Sequence, residues 1–344
     1  MSERAVNVAV VGATGAVGGQ ILRQLELRKF PVGTLKCLAS QRSAGQTVSF
    51  DGAKVTVEEA TPQSFSGVDV ALFSAGGSVS KQLVPHAVAS GAVAIDNTNA
   101  YRMNPDVPLV VPEVNSEKIK EHKGIISNPN CSTIQMVVAL KPLVDRYGVK
   151  RVIVSTYQAV SGAGNSAIDA LMEETRAALN GEAVSARAFP VGKLERHYQM
   201  AFNAIPQIDV PDEGGYTLEE MKMVRETKKI FGDESLAVTA TCVRIPVATG
   251  HSESVYVELA TDYDLDDVRQ LLADTGGVTV IDDIAQQAYP MPLDAAGRDD
   301  VFVGRLRRDL DQPRALNMWV VADNLLKGAA LNTVQIAEHL VKSL

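Results

Sequence analysis

The chain has 344 residues, 46% of them hydrophobic, and a formal net charge of −8. That length and apolar content suffice for a large buried core and two domains. The acidic balance, with no basic run to offset it, excludes a broad nucleic-acid surface. No uninterrupted apolar stretch approaches the roughly 20 residues of a membrane span, and the amino terminus has no basic segment leading into a cleavable apolar one. Cys37, Cys131 and Cys242 lie far apart, without disulfide or metal-ligand spacing. The expectation is a cytoplasmic protein with reduced thiols and no metal site, and with neither nucleic acid nor membrane among its partners.

The first elements read as a nucleotide-binding unit. An apolar strand, Val6 to Val11, runs into Gly12-Ala13-Thr14-Gly15-Ala16-Val17-Gly18, and Ile21, Leu22 and Leu25 continue at helical spacing. Strand, glycine turn and helix in that order let the backbone approach a pyrophosphate at a helix start. In NAD-binding units a carboxylate about 20 residues past the glycines holds the ribose 2′-hydroxyl. Here that region is Leu38-Ala39-Ser40-Gln41-Arg42-Ser43-Ala44-Gly45, with no carboxylate from Thr34 through Phe50. Ser40, Arg42 and Ser43 suit a 2′-phosphate instead, which favours NADP. Buried-type strands at Val68 to Phe73 and Ala92 to Ile95 follow, with a helix over Val79 to Ser90 between them. Tyr101-Arg102 supplies a first anion clamp.

Asn128-Pro129-Asn130-Cys131-Ser132-Thr133 places a cysteine where the apolar Gly124-Ile125-Ile126 segment turns into a helix that stops near Tyr147-Gly148. The unpaired N–H groups and positive dipole end of a first helical turn favour thiolate, and the same N–H groups suit an oxyanion. Against a buried, inert thiol stand the polar neighbours on both sides. Past Lys150 the pattern becomes strand-rich, at Arg151 to Tyr157, Leu236 to Val247, Ser254 to Ala260, Val278 to Ile281 and Val301 to Leu306, a second α+β domain built on a sheet. Gln158 precedes the glycine-rich Ser161-Gly162-Ala163-Gly164. Arg244 and His251 flank a strand end and turn, so both are expected to face one cleft; a histidine there acts as acid or base near neutrality. Thr217-Leu218-Glu219-Glu220 is a capping box, and Glu219 and Lys222 at i,i+3 spacing read as a solvated ion pair. Leu325 to Leu344 is amphipathic and helical and is expected to return to the first domain.

Together the glycine turn, the Ser40 to Gly45 segment, the Asn128 to Thr133 hexapeptide, Gln158 through Gly164 and Arg244 through His251 resemble the aspartate-β-semialdehyde dehydrogenase family, in the family's order over almost the whole chain. The resemblance implies NADPH-dependent reductive dephosphorylation of L-4-aspartyl phosphate to L-aspartate 4-semialdehyde and phosphate, in the biosynthesis of lysine, threonine, methionine and diaminopimelate. It implies a Rossmann-type NADP-binding domain (1–130 plus 325–344) and an α+β catalytic and dimerisation domain with a mixed sheet (131–324), like glyceraldehyde-3-phosphate dehydrogenase, in a homodimer. Carried over by position, the nucleophile falls on Cys131, the acid/base on His251 and the substrate-carboxylate arginine on Arg244, supported by Glu219 and Gln158. Phosphate contacts fall on Arg102, Asn130 and Lys222, and cofactor contacts on Gly12, Thr14, Gly15, Ala16, Val17, Ser40, Arg42, Ser43, Ser161, Gly162 and Asn324. Asn99 and Asn324 depart from the family's more frequent serine and glutamine. The rival readings are an N-acetyl-glutamyl-phosphate reductase, with the same cysteine and histidine on a longer substrate, and a non-catalytic NADP-binding protein, in which Cys131, His251 or Arg244 would be expected to be lost.

Overall fold

The computed structural model describes residues 5–342. The chain folds as two compact units, Met1–Asn130 with Ala329–Leu344, and Cys131–Gly328. The return to the first unit thus falls later than the expected residue 325. The Asp323 carboxylate accepts the N–H groups of Leu325 and Leu326, and its carbonyl accepts that of Gly328, which ties this segment to the second unit. Residues 1–4, on which the leader expectation rests, and residues 343–344 at the end of the expected final helix lie outside the described residues.

In the first unit the apolar runs are strands buried on both faces. Along β1 (Val6–Val11) the period-2 alternation sends Val8 and Val10 into one cluster, with Ile21, Leu25, Val334 and Leu340, and Ala9 and Val11 into another, with Phe65, Leu83 and Val84. Six further strands complete the sheet: β2 (Val32–Ala39), β3 (Thr47–Phe50), β4 (Ala53–Glu59), β5 (Val70–Phe73), β6 (Val93–Asp96) and β7 (Ile125–Ser127). Their order is β3-β4-β2-β1-β5-β6-β7, and every pairing is parallel except β3 with β4. The helices Ala16–Leu27, Gly77–Ala89 and Leu331–Val341 belong to this unit. The β3–β4 hairpin was not expected from the sequence, although Asp51-Gly52, both with positive φ (48° and 73°), is a strong two-residue turn signal.

The second unit holds a six-stranded mixed sheet of β8 (Val149–Gln158), β9 (Ala237–Arg244), β10 (His251–Leu259), β11 (Val278–Val280), β12 (Val301–Arg308) and β13 (Ala315–Ala322), in the order β11-β12-β13-β10-β8-β9. β8 is parallel to β9 and antiparallel to β10. Alternation along β10 buries His251, Glu253, Val255 and Val257 on one face, while Ser254, Tyr256 and Glu258 on the other remain half-exposed. The outward face also carries Ile153 and the tilted pair Tyr157 and Trp319, whose ring centroids are 5.4 Å apart. β13 went unrecognised in the sequence. No helix among the described residues is long and apolar enough to cross a membrane.

Candidate active site

The first unit offers a site made mostly of backbone. Gly12 has φ of 90°, and a Cβ there would come within 2.9 Å of Ser74 Oγ. A Cβ at Gly18 would lie 2.0 Å from the Gly12 carbonyl oxygen, so the helix can pack this tightly on the turn only with glycine at that position. The helix Ala16–Leu27 starts behind Gly15, which provides no side-chain cap, and the first-turn N–H groups of Ala16 and Val17 have no acceptor further back in the helix. That is an anion cradle of the kind a dinucleotide pyrophosphate occupies, and Thr14 stands half-buried within it.

At the end of β2, Gln41–Ser43 form one turn of 3-10 helix, with Ser40 and Arg42 exposed and Ser43 half-buried. No residue of β2 itself is acidic; β4 runs beside it, with Glu58 opposite Leu38 and Glu59 opposite Ala39.

Arg102 lies at the carboxyl ends of β6 and β7. Its Nε donates to the Asn128 carbonyl at 2.9 Å and its Nη2 to the Asn97 carbonyl at 2.7 Å, so the buried guanidinium is held by backbone acceptors of two neighbouring strand ends. Burial raises the carboxyl pKa of nearby Asp96, against the hydrogen bonds from Thr98 and Ser80 and the charge of Arg102. Asn130, also buried, is the last residue of this segment.

The second unit builds its part from side chains. Cys131 is the first residue of the helix Cys131–Tyr147 and is partly exposed. A Cβ on Gly328 would lie 3.0 Å from the Cys131 Cβ, so glycine alone lets the π-helical turn Leu326–Ala330 pass this close to the cysteine. The other two thiols are buried. Burial, then Glu58, pushes Cys37 up to about 11, and burial, then Glu219, pushes Cys242 well above the ordinary thiol range.

Arg244 closes β9 and Gln158 closes β8, directly opposite each other in the parallel register. His251 opens β10, so Arg244 and His251 flank the turn as expected, and the strand begins at His251, ahead of the expected Ser254. Its Nδ1 accepts the Ala159 N–H at 3.0 Å, and the ring is fully buried. Burial first, and the Arg244 charge second, lower its pKa to about 3, with Glu219 opposing. The ring is neutral at physiological pH, and because Nδ1 accepts, its proton resides on Nε2.

The Gln158 amide donates to Glu219 at 3.1 Å, and its carbonyl accepts from Thr156 at 3.1 Å. Arg244 is buried, with Nη1 donating to the Ala159 carbonyl at 2.7 Å and Nε without a partner among the described residues. Burial lowers its pKa, against the attraction of Glu219 and Cys131. Gly162, in the 3-10 turn Val160–Ala163, is exposed, and a Cβ there would touch Arg244 Nη1 at 3.3 Å and His251 Nε2 at 3.4 Å. Both nitrogens therefore border space that a side chain at position 162 would fill.

One expectation changes. Glu219 and Lys222 are not a solvated pair: Lys222 is mostly buried and contacts both Glu219, at 3.0 Å, and Asp209, at 2.9 Å. Burial alone would lower the Lys222 pKa, but the two carboxylates outweigh it and hold the ammonium above its ordinary value. Asp209, which the sequence did not single out, sits in the left-handed region with φ of 68°. The capping box at Thr217 and Glu220 forms as expected. The Asn324 side chain accepts from the Gly250 N–H at 2.9 Å and donates to Ser161 at 2.9 Å, so it braces the loops around His251 and Gly162.

Family models match both parts of the chain: "Semialdehyde dehydrogenase, NAD binding domain" over residues 7–122, and "Semialdehyde dehydrogenase, dimerisation domain" over residues 140–327. The aspartate-semialdehyde dehydrogenase of Bacillus subtilis (strain 168) is 59% identical over 340 residues, covering 98% of each chain. The chain belongs to the aspartate-semialdehyde dehydrogenase family. The Aquifex aeolicus member is 56% identical over 97% of this chain and 98% of its own. Among solved structures of the family, aspartate-semialdehyde dehydrogenase II of Vibrio cholerae, complexed with ASA, superposes with a TM-score of 0.94 at 49% identity, covering 98% of this chain and 99% of that one. The Candida albicans enzyme, solved with NADP, has a TM-score of 0.74 at 28% identity, with 98% of each chain covered. The fold is thus the family's: a nucleotide-binding domain followed by the dimerisation domain.

Proposed function

We propose that this family member is a cytoplasmic homodimeric enzyme that reduces L-4-aspartyl phosphate to L-aspartate 4-semialdehyde with NADPH, releasing phosphate through a thioester on Cys131. The observation that carries this reading is the pair Arg244 Nη1 and His251 Nε2 bordering the space at Gly162. A buried guanidinium with an unpartnered Nε needs an anion, and the substrate's α-carboxylate supplies it through a bidentate pair. The Cys131 thiolate attacks the acyl carbon, and Arg102, Asn130 and Lys222 receive the departing phosphate. Glu219 orients Gln158 and Lys222, and Gln158 positions the acyl group beside His251. The Gly12 to Val17 turn would hold NADPH, whose chemistry there would be hydride donation, and Ser161, Gly162 and Asn324 are the cofactor contacts that the family resemblance implies in the second unit. The neutral His251 holds its Nε2–H as a hydrogen-bond donor to the oxyanion that develops as the thioester is reduced, and that oxyanion collapses to the aldehyde as the cysteine thiolate departs. Ser40, Arg42 and Ser43 favour the 2′-phosphate of NADP over NAD. The half-exposed sheet face of Ile153, Tyr157, Tyr256 and Trp319 supports dimerisation.

The test is turnover of aspartate semialdehyde with phosphate and NADP, followed at the nicotinamide absorbance. Phosphate-dependent NADPH formation is the expected result. Turnover of N-acetylglutamate semialdehyde in its place, or no turnover of either aldehyde, would overturn the reading.

A further inference from the structure

The returning helix Leu331–Val341 docks on the sheet of the first unit through Val334, Ile336, Ala337 and Leu340. Its first turn adds two fully buried polar residues, Asn332 and Thr333. They reach the two residues that hold Arg102. Asn97 and Asn128 are the first residues past β6 and β7, and their carbonyls accept Arg102 Nη2 at 2.7 Å and Nε at 2.9 Å. The Asn332 amide donates to Asn128 Oδ1 at 2.7 Å and to the Val110 carbonyl at 3.0 Å. Thr333 Oγ1 donates to Asn97 Oδ1 at 2.7 Å and shares its hydrogen with the Ala329 carbonyl at 2.8 Å. Backbone acceptors fix which end of each amide faces which way: Val110 takes the Asn332 nitrogen, and the Phe73 carbonyl takes Asn97 Nδ2 at 3.0 Å, which turns Asn97 Oδ1 to Thr333. All of these residues belong to the first unit.

We infer that Asn332 and Thr333 are positioning residues for the phosphate contact at Arg102, each clasping the side chain of a residue whose own carbonyl anchors the guanidinium. The N–H groups of Asn97 and Asn128 still bond into the sheet, to the Phe73 and Asp96 carbonyls at 3.0 and 2.8 Å, but their carbonyls leave the ladder for Arg102. Beyond them the chain departs from the sheet through Thr98 and through Pro129, so the ladder alone does not fix those two peptide planes. Holding the side chains holds both residues, and with them both carbonyls. A guanidinium is planar, so two fixed acceptors, one at Nε and one at Nη2, set the plane in which it meets an anion. That setting is made before phosphate arrives, and no reorganisation is then required of Arg102. Docking of the helix would be served by apolar residues at these positions, as it is at Val334 and Leu340, and at lower cost than burying an amide and a hydroxyl. The polar pair is accounted for by what it holds.

This inference rests on the proposed phosphate role of Arg102, and the test separates the two. In the assay with aspartate semialdehyde and NADP, phosphate is itself a substrate, so its KM is read apart from those of the aldehyde and the cofactor. Thr333→Val keeps nearly the same shape and removes the hydroxyl, and Thr333→Ser restores it. T333V is expected to raise the phosphate KM about threefold to tenfold, the scale of one lost hydrogen bond, with KM for NADP and for the aldehyde within about twofold of wild type. T333S should stay within about twofold for all three. Asn332→Ala should act in the same direction as T333V, and T333V keeps the test available if N332A fails to fold. Arg102→Ala is expected to raise the phosphate KM about tenfold to a hundredfold, the scale for a hydrogen bond to a charged group, and T333V added to R102A should raise it no further, because its effect passes through the guanidinium. A wild-type phosphate KM in T333V, equal rises in all three KM values, a T333S enzyme as impaired as T333V, or an undiminished T333V effect in the R102A background would each overturn the inference while leaving phosphate at Arg102. A wild-type phosphate KM in R102A would remove phosphate from Arg102 and take the inference with it.

Discussion

The two units contribute to chemistry in opposite ways. The first presents backbone: a glycine turn whose dimensions exclude any Cβ, an uncapped helix start, and exposed side chains at Ser40 and Arg42. The second presents side chains already desolvated before substrate arrives, with Gln158, Arg244 and His251 almost fully buried. Backbone groups carry the same dipoles in every sequence, so a cradle made of them tolerates variation except at its glycines. A buried arginine beside a buried histidine has costs that only particular neighbours offset. Substitutions should therefore cut deep and narrowly in the second unit, and shallowly in the exposed part of the first.

The sharpest break in that contrast is Cys131→Ala. Turnover should be abolished while NADP binding, measured by fluorescence titration, stays near wild type because the glycine turn lies in the other unit. Near-normal turnover would show that no covalent step occurs there. Next in size is Arg244→Lys, which keeps the charge and loses the planar fork. A reacting carbon displaced by about 1 Å costs around a hundredfold, so a loss of that order in kcat/KM is expected with Cys131 alkylation by iodoacetamide unchanged. A loss of thiol reactivity as well would mean general damage around the helix start.

Arg42→Ala probes the exposed side. It should weaken NADP by about 1.5–3 kcal/mol, the range for hydrogen bonds to a charged group, and leave KM for NAD nearly unchanged. Equal effects on both cofactors would remove Arg42 from the 2′-phosphate and make the Glu58 and Glu59 side of β4 the next place to look. The smallest effect concerns pH. Folded His251 stays neutral down to about 3, whereas the unfolded residue titrates near 6.5, so between these values the unfolded chain binds an extra proton and stability falls as pH is lowered. Relative to His251→Asn, wild type should lose up to about 1.4 kcal/mol per pH unit in that window, read from urea midpoints from pH 7 to pH 5. Parallel curves for the two proteins would mean that the ring is less desolvated than the fold indicates.

What could be read from the sequence follows the same division. The glycine turn, the cysteine at its helix start and the capping box at Thr217 are local signals, each complete within a few residues, and each formed where expected. Asp209 meets Lys222 only because the helix Leu218–Phe231 packs against the loop before it, which leaves no pattern in a single sequence. His251 was singled out beyond the turn, but the strand that follows was expected only from Ser254, because the glycine before His251 hides that β10 begins at once. Lys222 looked solvated because i,i+3 spacing reports a shared helix face and says nothing of what covers that face. β13 was missed although Trp319 and the valines beside it have high strand propensity.

The contrast among the three thiols has a practical consequence. Cys37 and Cys242 are buried and held mostly protonated at neutral pH, while Cys131 stands partly exposed at the head of its helix. A neutral alkylating reagent should therefore stop after one equivalent per folded chain. The mass shift of intact protein then counts competent sites, and preparations can be compared per site instead of per milligram.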